Sequence, residues 1–280
     1  MGLKPIQYLF SAQNWKSYKK ISILKQLPNI FTLLNLFFGC LAIVFALQTE
    51  SVIIYLNGDY NDNSFYMPEK LTWAAICIGI AALIDFLDGF VARLLNATSE
   101  IGKQLDSLCD VISFGVAPGV ILYQLLRFSF IREENGLETS LIWLLPAFLV
   151  SCAAAYRLAK FNIDESQKYN FRGVPTPAIG LLVASFPLII FYNGQMFSIV
   201  NIFINKWFLY TVIIVLSFLM LSNLPVMGLK FKDYKLKSNI PKIILLLIAV
   251  VSAYLLHWLA VPVVFISYIL ISLVYKNKIA

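Results

Sequence analysis

The stretch LIDFLDGFVARLLNATSEIGKQLDSLCDVISFG, Leu83 to Gly115, sets four carboxylates, Asp85, Asp88, Asp106 and Asp110, inside segments that otherwise read as membrane. Ionisable groups at bilayer depth are costly, and they occur where they face a bundle interior or a wet cavity. Asp85 and Asp88 are three residues apart and Asp106 and Asp110 four apart, so each pair lies on one face of its helix. The short polar link from Asn96 to Lys103 makes the two helices antiparallel neighbours, so all four carboxylates can converge near one end of the pair. Like charges that close do not all stay ionised without positive charge among them.

The rest of the chain agrees with a membrane setting. Of 280 residues, 60% are hydrophobic and only 13% charged, and the mean hydropathy is +0.78. A soluble domain carries roughly 25% charged residues. Apolar runs near 28–48, 70–95, 102–127, 140–161, 174–193, 207–224, 240–257 and 258–275 predict an all-α, polytopic membrane bundle of about eight transmembrane helices. The last two are expected to form a hairpin around His257 to Pro262. The basic start, MGLKPIQYLFSAQNWKSYKK, shows no cleavable signal peptide. It reads as an interfacial amphipathic segment or as a basic tail that sets topology. The four cysteines, Cys40, Cys77, Cys109 and Cys152, fall in apolar runs at no metal-like spacing and are read as small core residues.

With both termini on the cytoplasmic side, 18 lysines and arginines fall inside and 4 outside. That asymmetry orients the bundle and accounts for the net charge of +7 without any nucleic-acid partner. Three parts are expected: a basic or interfacial segment 1–27, a six-helix core 28–224, and a basic loop plus a transmembrane hairpin 225–280.

Divalent cations are the natural countercharge for four carboxylates, since Mg²⁺ and Mn²⁺ take hard oxygen ligands and are shared with substrate phosphates. An acid-lined transporter is the rival reading, because intramembrane acids also mark ion pathways. The neighbouring residues favour a nucleotide-diphosphate site. Gly89 and Ala92 share the face of Asp85 and Asp88, Gly102 precedes Asp106 by one turn, and Arg93 stands at the membrane edge with a charge suited to phosphate.

The pattern Asp85-x2-Asp88-Gly89-x2-Ala92-Arg93-x8-Gly102-x3-Asp106-x3-Asp110 resembles, at all eight fixed positions, the signature of the CDP-alcohol phosphatidyltransferases. The resemblance implies transfer of a phosphatidyl group from CDP-diacylglycerol to an alcohol with release of CMP. It implies two divalent cations, Mg²⁺ or Mn²⁺, held by Asp85, Asp88, Asp106 and Asp110, with Asp110 also the general base. Gly89, Ala92, Arg93 and Gly102 are then expected to line the CDP pocket. LPNIFTLLNLFFG (Leu27 to Gly39), SFGVAPG (Ser113 to Gly119), YRLAKFN (Tyr156 to Asn162) and FRGVPTPA (Phe171 to Ala178) are similar to one branch, the membrane-embedded CDP-diacylglycerol–serine O-phosphatidyltransferases. In that branch Pro28, Asn29 and Thr32 would approach the nucleotide.

L-serine is the acceptor this branch implies; glycerol phosphate, inositol phosphate or another alcohol remain the alternatives. An amino-acid acceptor needs a cation for its carboxylate, and Arg157 and Arg172 supply one beside Asn162 and Thr176. The expected setting is the inner cell membrane, with the site facing the cytoplasm and the lipid bilayer itself as a partner. The family also makes a homodimer an open expectation.

Overall fold

The structure is a computed structural model that describes residues 12–48, 69–95, 99–133, 138–163, 173–193, 197–228 and 236–275. It is all-helical, with no β-strand among the described residues. The helices are α1 (Ala12–Leu47), α2 (Glu69–Leu94), α3 (Glu100–Val111), α4 (Ala117–Ile131), α5 (Leu149–Ile163), α6 (Thr176–Tyr192), α7 (Phe197–Ile204), α8 (Lys206–Leu221), α9 (Leu236–Leu256) and α10 (Ala260–Val274). A π-helical segment, Ile112–Val116, joins α3 to α4 without a break.

Among the described residues five helices are long and apolar enough to cross a membrane, or six if Ser198–Ile204 and Lys206–Leu221, which meet at 57°, count as one span. The chain is therefore an integral membrane protein. The fifth expected span is the 17-residue helix α6, shorter than the five long apolar helices. Asn239–Val274 is a single apolar stretch of 36 residues, yet it folds back on itself: His257 takes φ +50° and α9 packs against α10. The His257 ring stacks on Tyr192 with ring centroids 4.8 Å apart. α1 runs unbroken through Pro28, across the boundary expected at residue 27.

Helices α1 and α2 pack along their length. From residue 26 on, the buried positions of α1 are Pro28, Thr32, Asn35, Gly39, Ala42 and Ala46, alternating steps of four and three. Opposite them α2 buries Leu71, Ala74, Ala75, Ile78, Ala81, Ile84 and Asp88. Alanine and glycine let the backbones approach closely, which is how helices associate where lipid is as apolar as the side chains. One periodicity thus runs from an apolar seam at one end to Thr32, Asn35 and Asp88 at the other. The carboxylates are where the seam turns polar.

Behind this pair the π segment is gripped by small residues. Gly39 faces Ser113, Gly115 faces Ala154, and Gly180 faces Phe114. Ser151 Oγ donates to Gly115 O at 2.8 Å. A π turn inserts a residue into the helix and rotates everything beyond it, a distortion that concentrates at functional sites. Here it begins two residues after Asp110. Cys77 and Cys109 are buried as expected, but Cys40 and Cys152 are exposed. Their helices turn those faces outward, so the apolar setting of these two is the lipid side and not the core.

Candidate active site

The sequence places Asp85 and Asp88 on α2 and Asp106 and Asp110 on α3. The fold brings one carboxylate oxygen from each of Asp85, Asp88 and Asp106 within 4.8 Å of one another. Asp110 adjoins this trio, its carboxyl within hydrogen-bonding reach of Asp85. Asp88 and Asp110 are buried, while Asp85 and Asp106 are half-buried. None of the four has a basic ion-pair partner among the described residues. Clustered hard oxygen donors without a compensating side chain fit a divalent cation, and Asp85, Asp88 and Asp106 can hold one.

Helix α1 orients two of these acids. Thr32 Oγ1 has one proton and two acceptors, Asp88 Oδ2 at 2.9 Å and Pro28 O at 3.0 Å. Asn35 Nδ2 donates to Asp110 Oδ1 at 3.2 Å, and Asn35 O accepts from Ser113 Oγ at 3.1 Å. Asn35 was not among the residues singled out in the sequence. Its signal was present in the spacing: Pro28, Thr32, Asn35 and Gly39 share one face of α1, so a role for Thr32 on the site implied one for Asn35.

A cavity of about 460 Å³ opens beside the acids, within the range of nucleotide-sized pockets. Its lining includes Pro28, Asn29, Thr32, Gly89, Ala92 and Gly102, together with Asp88 and Asp106. Arg93 is exposed and does not line it. Gly89 and Gly102 differ in what they clear. A Cβ at Gly89 meets nothing within 4 Å, so this glycine is bare cavity wall. One at Gly102 would stand 3.1 Å from Asn29 Oδ1, so that glycine seats the start of α3 against α1. Ser99 caps α3, its hydroxyl accepting from Gly102 N at 3.0 Å.

The residues expected at the acceptor do not all meet. Arg157 Nη1 donates to the buried Thr176 Oγ1 at 3.1 Å, while its Nε is buried without a hydrogen-bond partner among the described residues. The guanidinium is within electrostatic reach of Asp110. Beside it lies a small cavity of about 20 Å³ lined by Tyr156, Lys160, Ser222 and Asn223 among others, room for about one water. Asn162 is engaged elsewhere, tying α5 to α3 by donating to Ser107 Oγ at 2.9 Å and Gln104 Oε1 at 3.2 Å. Arg172 lies outside the described residues. Pro175 caps α6 and Pro177 stands in its first turn, which fixes where Thr176 enters.

A helical membrane bundle whose carboxylate cluster borders a nucleotide-sized cavity suits an enzyme that acts on a phosphate-bearing substrate at the membrane. The CDP-alcohol phosphatidyltransferase family model matches residues 25–219, and the chain belongs to that family. A Helicobacter pylori CDP-diacylglycerol–serine O-phosphatidyltransferase is 34% identical over 223 residues, 79% of this chain and 78% of the relative. A Mycobacterium leprae protein of the same name is 29% identical over 256 residues, 85% of this chain and 71% of its own. An archaetidylserine synthase of Methanothermobacter thermautotrophicus is 31% identical over 177 residues, 62% of this chain and 63% of its own.

Proposed function

We propose that the chain transfers the phosphatidyl group of CDP-diacylglycerol to the hydroxyl of L-serine, giving phosphatidylserine and CMP, in the inner cell membrane with the site open to the cytoplasm. The observation that carries the reaction is the trio Asp85, Asp88 and Asp106, of which Asp88 and Asp106 line the 460 Å³ cavity. The acceptor rests on relatives named for serine and on a guanidinium with a free donor near Asp110.

Asp85, Asp88, Asp106 and Asp110 would hold two divalent cations, Mg²⁺ or Mn²⁺, which supply countercharge for the diphosphate and for the charge that develops on it. Pro28, Asn29, Thr32, Gly89, Ala92 and Gly102 shape the donor cavity, and Arg93 attracts phosphate at its rim. Asp110 accepts the proton of the serine hydroxyl as the new O–P bond forms and the P–O bond to CMP breaks. Asn35 holds that carboxylate by one oxygen. Arg157 binds the serine carboxylate, with Thr176 fixing the guanidinium; Arg172 would add a second positive charge for that carboxylate, and Asn162 serves the site only by tying α5 to α3. The core spans 28–224, flanked by a basic segment 1–27 and a C-terminal part 225–280.

Purified protein offered CDP-diacylglycerol with L-serine, glycerol 3-phosphate or inositol phosphate is expected to release CMP with serine alone. Turnover with glycerol 3-phosphate and none with serine would overturn the acceptor and leave the family intact. Arg157→Lys is expected to raise the KM for serine by about 10-fold or more while sparing that for CDP-diacylglycerol, since lysine keeps the charge and loses the two-pronged geometry. The reverse pattern would move Arg157 to the donor side.

Orientation has its own check. With native cysteines removed, cysteines placed at 59 and 134 are expected to react with an impermeant reagent on intact cells, and those at 103 and 168 are not. Labelling at 168 but not at 59 would invert the topology.

A further inference from the structure

The charges on the wall of the cavity beside the acids are of one sign except at one residue. Asp88, Glu100 and Asp106 line it, and Lys103 is the one positively charged side chain in that lining among the described residues. Arg93, the cation expected there from the sequence, stands outside the lining. In the sequence Lys103 counts only as one of the 18 lysines and arginines expected on the cytoplasmic side. A lysine that only sets topology need lie no closer than the membrane edge. This one stands on the cavity wall.

Lys103 belongs to the first turn of α3, three residues before Asp106 and so on the same face of the helix. The backbone N–H groups of Gly102 and Lys103 are spent within that turn, on Ser99 Oγ and Ser99 O, each at 3.0 Å. What residue 103 offers the cavity is therefore its side chain. Lys103 Nζ donates to Asn162 O at 3.3 Å, reaching across to the end of α5. A carbonyl oxygen steadies an ammonium without neutralising it, and of the three protons on Nζ it takes one. No carboxylate stands within ion-pair distance of Lys103 among the described residues. The charge is held in place and left unspent.

A nucleotide diphosphate calls for such a group. Cations bound by the aspartates answer the aspartates first, and each phosphate of a diphosphate diester then brings one more negative charge to the same acidic wall. A compact ammonium with protons to spare meets that charge with charge-assisted hydrogen bonds.

We propose that Lys103 is a binding residue of the donor site: its ammonium takes a phosphate oxygen of the nucleotide diphosphate while Asn162 O steadies it. The proposal rests on the reading of this cavity as the site of CDP-diacylglycerol. It gives that site a cation from outside the eight-position motif.

The test uses the full chain and two soluble probes, CDP, a nucleotide diphosphate without lipid, and cytidine, the same nucleoside without phosphate. Inhibition by each is measured for the wild type, Lys103→Gln, Lys103→Arg and Gln104→Ala, with the KM values for CDP-diacylglycerol and L-serine and the Tm. Lys103→Gln is expected to weaken inhibition by CDP about tenfold and to raise the donor KM by a similar factor, the size of one hydrogen bond between charged groups. Inhibition by cytidine and the serine KM are expected to stay within about twofold. Lys103→Arg keeps the charge and is expected to recover most of the loss. Gln104→Ala removes a bond from the same junction of α3 with α5 without touching the cavity lining, so CDP is expected to inhibit it as it does the wild type. If Lys103→Gln weakens CDP and cytidine alike, or neither, or if Gln104→Ala weakens CDP as much, Lys103 only braces α3 against α5 and the proposal falls while the donor cavity stands. If CDP fails to compete with CDP-diacylglycerol in the wild type, the donor reading of the cavity falls, and the proposal with it.

Discussion

Each of the single variants Asp85→Asn, Asp88→Asn, Asp106→Asn and Asp110→Asn is expected to release CMP at less than about a hundredth of the wild-type rate, a loss of roughly 2.7 kcal/mol or more of transition-state stabilisation. Asparagine keeps the shape and removes the charge, so the loss reports electrostatics and not packing. Stability provides a second readout of opposite sign. Three of these carboxylates converge within 4.8 Å and none has a basic ion-pair partner among the described residues. In a chelator the wild type carries that repulsion alone, and each asparagine variant is expected to unfold at the same temperature or higher. Added Mg²⁺ or Mn²⁺ is then expected to raise the wild-type Tm and to do less for the variants, because only a ligand that prefers the folded state stabilises it. Retention of more than about a tenth of the activity by any three variants, a barrier change of only roughly 1.4 kcal/mol, would sink the cation-binding assignment. So would a wild-type Tm indifferent to both cations.

Much of this site was legible because carboxylates stand out against lipid. Where each ionised group is costly, four at helical spacing on consecutive helices announce a shared purpose, and the motif's small residues Gly89, Ala92 and Gly102 line the cavity beside them. Six of the seven residues expected around the nucleotide line that cavity. The exception, Arg93, shows the limit of reading a face from spacing: it follows Ala92 by one residue and so turns about a quarter of the helix away, out of the lining. Asn162 shows another limit. A polar residue near a cluster of cations reads as a ligand in sequence, whereas in the fold its amide joins α5 to α3 through Ser107 and Gln104.

What the sequence concealed was backbone geometry and long-range contact. Nothing in ISFGV announces a π turn, since helical periodicity continues through it on either side. The bond from Tyr268 Oη to Met227 O joins residues 41 positions apart, and one more tyrosine in an apolar helix carries no local signal. The hairpin itself was readable, because two apolar runs meeting at His257 exceed what one bilayer accommodates: 36 helical residues would extend about 54 Å, against roughly 30 Å of hydrocarbon.

Two glycines near this chemistry, Gly39 and Gly89, are expected to fail in opposite ways when changed to alanine. A Cβ at Gly39 would overlap Ser113 Oγ and stand 2.9 Å from Ser113 Cα, so α1 must draw back from the π segment. Backbone is the obstacle, and no side-chain rotation relieves it. The same contact carries Ser113 Oγ to Asn35 O and, through Asn35, the bond to Asp110. Gly39→Ala is therefore expected to cost about 1–3 kcal/mol in stability, and to lower kcat by on the order of tenfold or more as Asp110 loses its orientation. Gly89→Ala meets open space, and alanine is the better helix former by up to about 1 kcal/mol, so stability is expected to hold or rise. Its methyl group instead enters the cavity wall beside Asp88, and the KM for CDP-diacylglycerol is expected to rise while that for serine stays. Gly79, on the same helix with nothing within 4 Å of its Cβ position and outside the cavity lining, is the control: Gly79→Ala should change neither kinetics nor folding for the worse. Thermal unfolding and separate KM measurements for the two substrates distinguish all three. A Gly39→Ala protein of unchanged Tm would mean that α1 and the π segment do not meet this closely. A Gly89→Ala enzyme with an unchanged donor KM would place the nucleotide against some other wall of the cavity.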